Sequence, residues 1–322
     1  MPNGPSWRKA SALSAAVLLS GCISITLVPT PGPLQEEQIG GSGKDKILVV
    51  ELSGLISSHE ESGVVMERPS MIARVKEELN RAAQDSRIKA MVIRINSPGG
   101  TVTASDVLHH EIVKFKEKRK IPVVASIMDV GASGGYYVAV AADKIMAHPS
   151  TVTGSVGVIM LSVNARGLLE KIGVETAAVA SGPKKDMGSP FRPMTEEERL
   201  IFQGVIDVFY ERFLTVIRDG RRNLNAEQIR KLADGRIYSG EQAKALGLVD
   251  EVGYLDDAIE VAKREARLDE ARLVTYRRPG EYRNNIYSAF NGGSWALPAP
   301  GDFSLMALVR GGTPQFMYLW MP

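Results

Sequence analysis

The stretch Pro122-Val123-Val124-Ala125-Ser126-Ile127-Met128-Asp129-Val130-Gly131-Ala132-Ser133-Gly134-Gly135-Tyr136-Tyr137 decides the fold class. Pro122 to Ile127 is a short apolar run of the kind that forms a buried strand. A glycine-rich turn follows, and the apolar run Tyr136 to Ala142 reads as a helix that opens at Ser133. Strand, glycine turn and helix in that order make the repeating unit of a parallel sheet covered by helices.

The unit recurs on either side. Ala90 to Ile95 reads as a strand, Asn96-Ser97-Pro98-Gly99-Gly100 as its turn, and about Ala104 to Lys118 as a helix. Val107, Leu108, Ile112 and Phe115 fall on one face of that helix. Lys144 to Ala147 is a further strand, followed by Thr153-Gly154-Ser155-Val156-Gly157. Ile47 to Leu52 and Val174 to Ala180 also have strand character, and Ser70 to Ala83 carries Ile72, Val75, Leu79 and Ala82 at helical spacing. Strands alternating with helices imply right-handed crossovers and a mostly parallel sheet. The second half is more helical. Thr195 and Glu198 form a capping box that opens a helix to about Asp219. Ala226 to Ala233, the segment after Ser239 and its Gln242, and Asp256 to Leu268 are the remaining helices.

Composition narrows the class. The 322 residues are 24% charged and 44% hydrophobic, with 39 basic against 37 acidic residues and a net charge of +2. That balance excludes the concentrated basic excess of a nucleic-acid binder. The single cysteine, Cys22, excludes an intrachain disulfide framework and a cysteine-based metal site. It stands in Leu19-Ser20-Gly21-Cys22, behind Arg8, Lys9 and a small apolar run from Ala10 to Ser20. This is the layout of a secretory signal ending in a lipobox. The apolar run is about half the roughly 20 residues that span a bilayer. Acylation of Cys22 would tether the mature chain to a membrane surface outside the cytoplasm; the alternative is a plain signal peptide. The expected organisation is a lipoprotein signal at 1–22, a flexible linker at 23–45, a main domain at 46–268 and a C-terminal extension at 269–322. Gly40-Gly41-Ser42-Gly43-Lys44 is no phosphate loop, because Gln38 and Asp45 stand where glycine and Ser or Thr are required. From about Thr275 onward glycine, proline and aromatic residues dominate, too apolar for a solvated tail.

Chemistry concentrates on the three glycine-rich turns, which a parallel sheet would gather at its carboxyl edge. Ser133, at the mouth of a helix, could present its hydroxyl beside backbone N–H groups able to stabilise an oxyanion. It could equally cap the helix, and the local residues alone favour the cap. A serine nucleophile needs a base. The four histidines are His59, His109, His110 and His148. None has the setting of a triad histidine, His148 being the best of them, and no zinc-binding His pair exists.

The ordered set Ile95-Asn96-Ser97-Pro98-Gly99-Gly100, Gly131-Ala132-Ser133-Gly134-Gly135-Tyr136-Tyr137, Thr153-Gly154-Ser155-Val156-Gly157-Val158 and Ser181-Gly182-Pro183-Lys184-Lys185-Asp186, followed by Asp234-Gly235-Arg236, resembles the short form of signal peptide peptidase A, the protease IV family. The match runs over roughly residues 47–266. The resemblance implies a crotonase-like, Clp protease-like α/β fold: a mostly parallel sheet with flanking helices and a helical C-terminal part. It implies a serine endopeptidase acting on signal-peptide remnants and other unfolded apolar segments. Ser133 would be the nucleophile, Lys185 the base and Ser155 its positioner. Gly134, with Gly99 or Gly100, would bind the oxyanion. It further implies no cofactor or metal, and self-assembly as a dome-shaped octamer in which a neighbour helps complete each site.

An amine in water is protonated at neutral pH, so a lysine base must be desolvated. Asp186 is therefore expected to turn away from it. The family usually carries a membrane-spanning helix where this chain has a lipobox. Two other classes share the features: an acyl-CoA hydratase or isomerase, which needs an acidic residue facing the oxyanion glycines, and a non-catalytic scaffold.

Overall fold

The structure is a computed structural model that describes residues 32–59, 61–62, 67–278 and 315–321. Cys22 and the rest of the expected signal lie outside the described residues. No helix among the described residues is long and apolar enough to cross a membrane.

The centre is a nine-stranded, mostly parallel sheet. Its strands are β1 (Gln35–Gly41), β2 (Lys46–Ser53), β5 (Ile88–Ser97), β7 (Val123–Ala132), β8 (Lys144–Ala147), β9 (Val152–Gly154), β11 (Ile237–Ser239), β12 (Glu251–Val252) and β13 (Arg272–Arg277). The main path runs β1-β13-β2-β5-β7-β8-β12, and β9 joins both β7 and β11. Only the pairings of β1 with β13 and of β9 with β11 are antiparallel in this sheet. A hairpin of β3 (Glu61–Ser62) and β4 (Glu67–Arg68) stands apart. A three-stranded sheet joins β10 (Ile159–Leu161), β14 (Gln315–Leu319) and β6 (Gly99–Thr101), in that order.

The central strands are mainly apolar because both faces are covered. Leu48, Val50 and Leu52 of β2 pack with Met91, Ile93 and Ile95 of β5 into one core. That core is covered by α1 (Met71–Ala82), α2 (Val102–Arg119), α3 (Gly134–Ala139) and the C-terminal part of the long helix described below. Ile47, Val49, Ala90 and Val92 face the opposite side, against Leu255, Ala258, Ile259 and Ala262 of the last helix. The remaining helices are α4 (Arg166–Lys171), α5 (Glu196–Gly220), α6 (Ala226–Leu232), α7 (Gly240–Ala245) and α8 (Leu255–Ala266). α5 starts where its sequence dictates: Thr195 accepts from the Glu198 N–H and the Glu198 carboxylate accepts from the Thr195 N–H.

Two expectations are corrected. Val174 to Ala180 forms no strand; its residues are exposed and irregular, with no neighbouring strand to satisfy their backbone. Residues 35–41, expected within a flexible linker, form β1, because β13 from the expected extension offers them an antiparallel edge.

Two charged groups sit in the middle of this sheet. Glu51 and Arg94 face each other across β2 and β5, 2.9 Å apart and nearly inaccessible to water. Removing one partner of a buried pair strands the other charge, which costs about 3–5 kcal/mol. Arg94→Ala is expected to lower the urea-unfolding free energy by about that amount, and Glu51→Leu with Arg94→Met to restore most of it. An Arg94→Ala loss below about 1 kcal/mol would show the pair to be solvated.

The backbone carries a second prediction. Among the described residues, four non-glycine residues have positive φ: Lys120, Ser133, Ser155 and Arg267. Lys120 and Arg267 are left-handed helix C-caps, an ordinary role. Ser133 and Ser155 follow the ends of β7 and β9 and have no such reason. Ser133 lies at φ 51°, ψ −114°, a region that costs a side-chain-bearing residue about 1–3 kcal/mol. Ser133→Gly is expected to raise the unfolding free energy by about 1 kcal/mol. A lower stability would mean that the conformation is unstrained.

Candidate active site

β5, β7 and β9 are parallel, so their carboxyl ends lie along one edge of the sheet. Ser97 is in register with Gly131, and Ala132 with Gly154. The three glycine-rich turns that begin there consequently meet. Ser133 is 1% exposed and precedes α3. Its N–H donates to the Gly154 carbonyl at 2.8 Å. Its side chain makes no capping hydrogen bond, so the hydroxyl is not spent on the helix as the local sequence favoured.

The turns approach one another more closely than side chains allow. Gly99, at φ +105°, would place a Cβ 1.9 Å from the Tyr318 carbonyl oxygen and 2.7 Å from the Gly134 nitrogen. A Cβ on Gly134 would stand 2.4 Å from Ser105 Oγ and 3.1 Å from the Gly100 nitrogen. Gly99, Gly100 and Gly134 thus surround one small region of backbone. Ser97 Oγ fixes the first turn: it accepts the Gly99 N–H at 3.1 Å and donates to the Gly54 carbonyl at 2.6 Å. The Gly99 N–H is therefore spent, which leaves Gly100 beside Gly134 as a donor to this region.

Ser133 and Ser155 both line a cavity of about 340 Å³, with Val156 to Ile159, Tyr210, Asp234 and Leu319. No histidine lines it. His148 is engaged by Ser150 and stands edge-on to Tyr254. His109 packs against Tyr137, and burial pushes its imidazole down to about 4. Asp234, the acidic residue among the described lining residues, is held by Arg236 at 2.8 Å, which depresses its carboxyl.

Lys185 is not among the lining residues. It lies in an irregular segment ahead of α5 and is exposed. Lys184 pairs with Glu197. The Asp186 carboxylate is gripped by Arg192 at 2.7 and 2.8 Å, which holds it below the usual carboxylate range. The same guanidinium binds Glu198, whose carboxyl is lowered to about 2 by Arg192 and by the Thr195 N–H. Arg192 therefore ties the lysine segment to the first turn of α5. Within one chain the structure brings Ser133, Ser155, Gly99, Gly100 and Gly134 together and leaves Lys185 outside the group.

Sequence reasoning missed the aromatic chamber beside these glycines. Tyr137, Phe213 and Tyr318 pack with ring centroids 4.7 to 5.0 Å apart, and the Tyr137 hydroxyl donates to Asp106 at 2.5 Å. Burial, then the Asp106 carboxylate, raise the Tyr137 phenol well above its ordinary value. The aromatic richness of the last fifty residues was the available signal, without a location.

Comparison with known proteins agrees with this arrangement of motifs. The model of peptidase family S49 matches residues 115–269. A protein named as a putative signal peptide peptidase SppA from Enterococcus faecium is 38% identical over 237 residues, 74% of this chain and 68% of that one. A putative protease from Synechocystis is 39% identical over 232 residues, 72% of this chain and 78% of that one. Among solved structures, a ClpP1 mutant from Listeria monocytogenes is 23% identical and covers 66% of this chain and 94% of its own, with a TM-score of 0.42. The chain belongs to peptidase family S49, the signal peptide peptidase A and protease IV family of serine proteases.

Proposed function

We propose that this enzyme is an endopeptidase that degrades signal-peptide remnants and other unfolded apolar segments at an extracytoplasmic membrane surface, through a Ser133–Lys185 dyad. The observation that carries the reading is Ser133 itself: buried, held at positive φ, and with a hydroxyl not used as a helix cap. Serine in a strained turn beside side-chain-free N–H groups suits a nucleophile whose tetrahedral intermediate needs donors. Gly134 and Gly100 supply those donors in this reading, and Ser155 steers the amine. The parallel strand ends and their glycine turns also support a Clp-like, crotonase-like form of the fold. Cys22 would provide the lipid tether.

The base is delivered by a neighbouring copy in an octameric assembly. Lys185 is exposed in the single chain, and Asp186, the nearest carboxylate in sequence, is already engaged by Arg192. The surrounding surface is unusually apolar for an exposed one. Leu161, Val163, Leu168, Ile172, Val174 and Val179 are open on one segment, and Leu200, Ile201 and Val208 on α5. Such surfaces mark contacts between proteins. Burial there would strip water from the amine and let it take the Ser133 proton. Ser133 Oγ then attacks the peptide carbonyl, the amine protonates the leaving nitrogen, and water releases the acyl group.

Labelling by a serine-reactive fluorophosphonate tests the dyad. Ser133→Ala is expected to abolish it, Lys185→Ala to slow it about 100-fold or more, and Lys184→Ala to leave it near wild type. Loss with Lys184→Ala and retention with Lys185→Ala would move the base. Co-assembled Ser133→Ala and Lys185→Ala copies are expected to regain peptide hydrolysis; no regain in mixed oligomers would place both residues in one chain.

A further inference from the structure

The segment that carries Lys185 is a run of tight turns. The Lys185 N–H donates to the Gly182 carbonyl at 3.1 Å, Met187 to Lys184 at 3.3 Å and Ser189 to Asp186 at 3.0 Å. Bonds between such near neighbours shape the segment and attach it to nothing outside itself. Arg192 makes an attachment. Its Nε and Nη2 donate to the two Asp186 oxygens at 2.7 and 2.8 Å. Its Nη1 and Nη2 donate to the two Glu198 oxygens at 3.0 and 2.5 Å. Glu198 is buried in the first turn of α5 and accepts the Thr195 N–H at 2.9 Å. Lys184 pairs with Glu197 on that same turn, whereas Lys185 stays exposed.

Farther along, the same helix touches the elements that hold Ser133. Tyr210 lines the cavity with Ser133. Arg212 donates to Asp106 of α2 at 2.9 and 3.1 Å, and Asp106 also accepts the hydroxyl of Tyr137, on the helix that Ser133 opens. Phe213 packs edge-on against the Tyr137 ring. A helix rises about 1.5 Å per residue, so Glu198 and Arg212 stand about 20 Å apart along its axis. α5 is thus a spacer with the lysine segment clamped at its first turn and the nucleophile's helix held farther on.

We propose that Arg192 is a positioning residue for the base: by gripping Asp186 and Glu198 together it sets where Lys185 projects from α5, and so where the amine meets the Ser133 of a neighbouring copy. The proposal rests on the dyad reading above. A guanidinium suits the task because its planar fork meets carboxylates in fixed directions, which the point charge of an ammonium does not.

Fluorophosphonate labelling of the assembled enzyme tests this, with circular dichroism to check the fold. Arg192→Gln is expected to slow labelling of Ser133 about tenfold or more, and Arg192→Lys, which keeps the charge without the fork, nearly as much. A loss under about twofold with Arg192→Gln overturns the proposal. Mixed assemblies of Ser133→Ala and Lys185→Ala copies separate positioning from folding. Placed on the Ser133→Ala copy, which supplies the amine, Arg192→Gln is expected to cost about fivefold or more beyond its cost on the Lys185→Ala copy. Equal losses on the two copies assign Arg192 to folding or assembly and overturn the proposal, while the dyad stands. Mixed assemblies that hydrolyse nothing with Arg192 intact overturn delivery by a neighbour, and the proposal with it. A Lys185→Ala enzyme that labels like the wild type overturns the dyad and the proposal together. The clamp itself is read from a double variant: Arg192→Gln with Asp186→Asn is expected to label no more slowly than the slower single variant. Additive losses show that the two residues act separately and overturn the clamp.

Discussion

The arrangement depends on one steric condition: the backbone turns after β5 and β7 must come closer than any Cβ permits. Gly99 and Gly134 could not carry a side chain without striking the Gly134 nitrogen or Ser105 Oγ. Where no side chain intrudes, N–H groups can point into a common space. The sheet supplies the approach, because β5, β7 and β9 run the same way and end together. Buried hydroxyls then lock the turns. Ser97 holds the first, and Thr153 donates to the Gly131 carbonyl at 2.6 Å to hold the second. Ser133 accepts an unfavourable backbone conformation at this junction, and strain of that kind persists only where the surroundings impose it.

A second constraint acts on the lysine segment. Residues 172–185 have few regular hydrogen bonds and are mostly exposed, yet they are not left to wander. Arg192 clamps Asp186 to Glu198, and Glu198 is fixed by the capping box of α5. Charge-assisted, bidentate contacts of this type give geometry as well as energy. The clamp engages the carboxylate of Asp186, the residue next to Lys185 in sequence. Lys185 itself is exposed in the single chain.

The sheet was legible in sequence because β2, β5 and β7 are buried on both faces and read as largely apolar runs. Ser70, Thr195 and Ser239 marked helix starts through their side-chain oxygens. The glycine-rich turns were legible as a set of motifs, each weak alone. Val174 to Ala180 misled because its β-branched residues Val174, Thr176 and Val179 favour a strand, while no edge stands ready to receive one. β1 was hidden by its polar, glycine-containing sequence, since an edge strand needs only a partner for its backbone. The chamber around Tyr318 could not be read at all: Tyr137, Phe213 and Tyr318 are brought together by the register of β14, which no local pattern encodes. Whether a serine caps a helix or faces a cavity is likewise a matter of two torsion angles that the residues around Ser133 do not announce.

The central claim is that an amine reaches the Ser133 hydroxyl in a glycine-lined, water-poor space. A crystal structure of the assembled enzyme with a peptide trapped as an ester on Ser133 tests it most directly. The account predicts Lys185 Nζ, from any subunit, about 3 Å from Ser133 Oγ, with the ester carbonyl oxygen between the Gly100 and Gly134 N–H groups. An ester on Ser133 with every Lys185 still in solvent would contradict it.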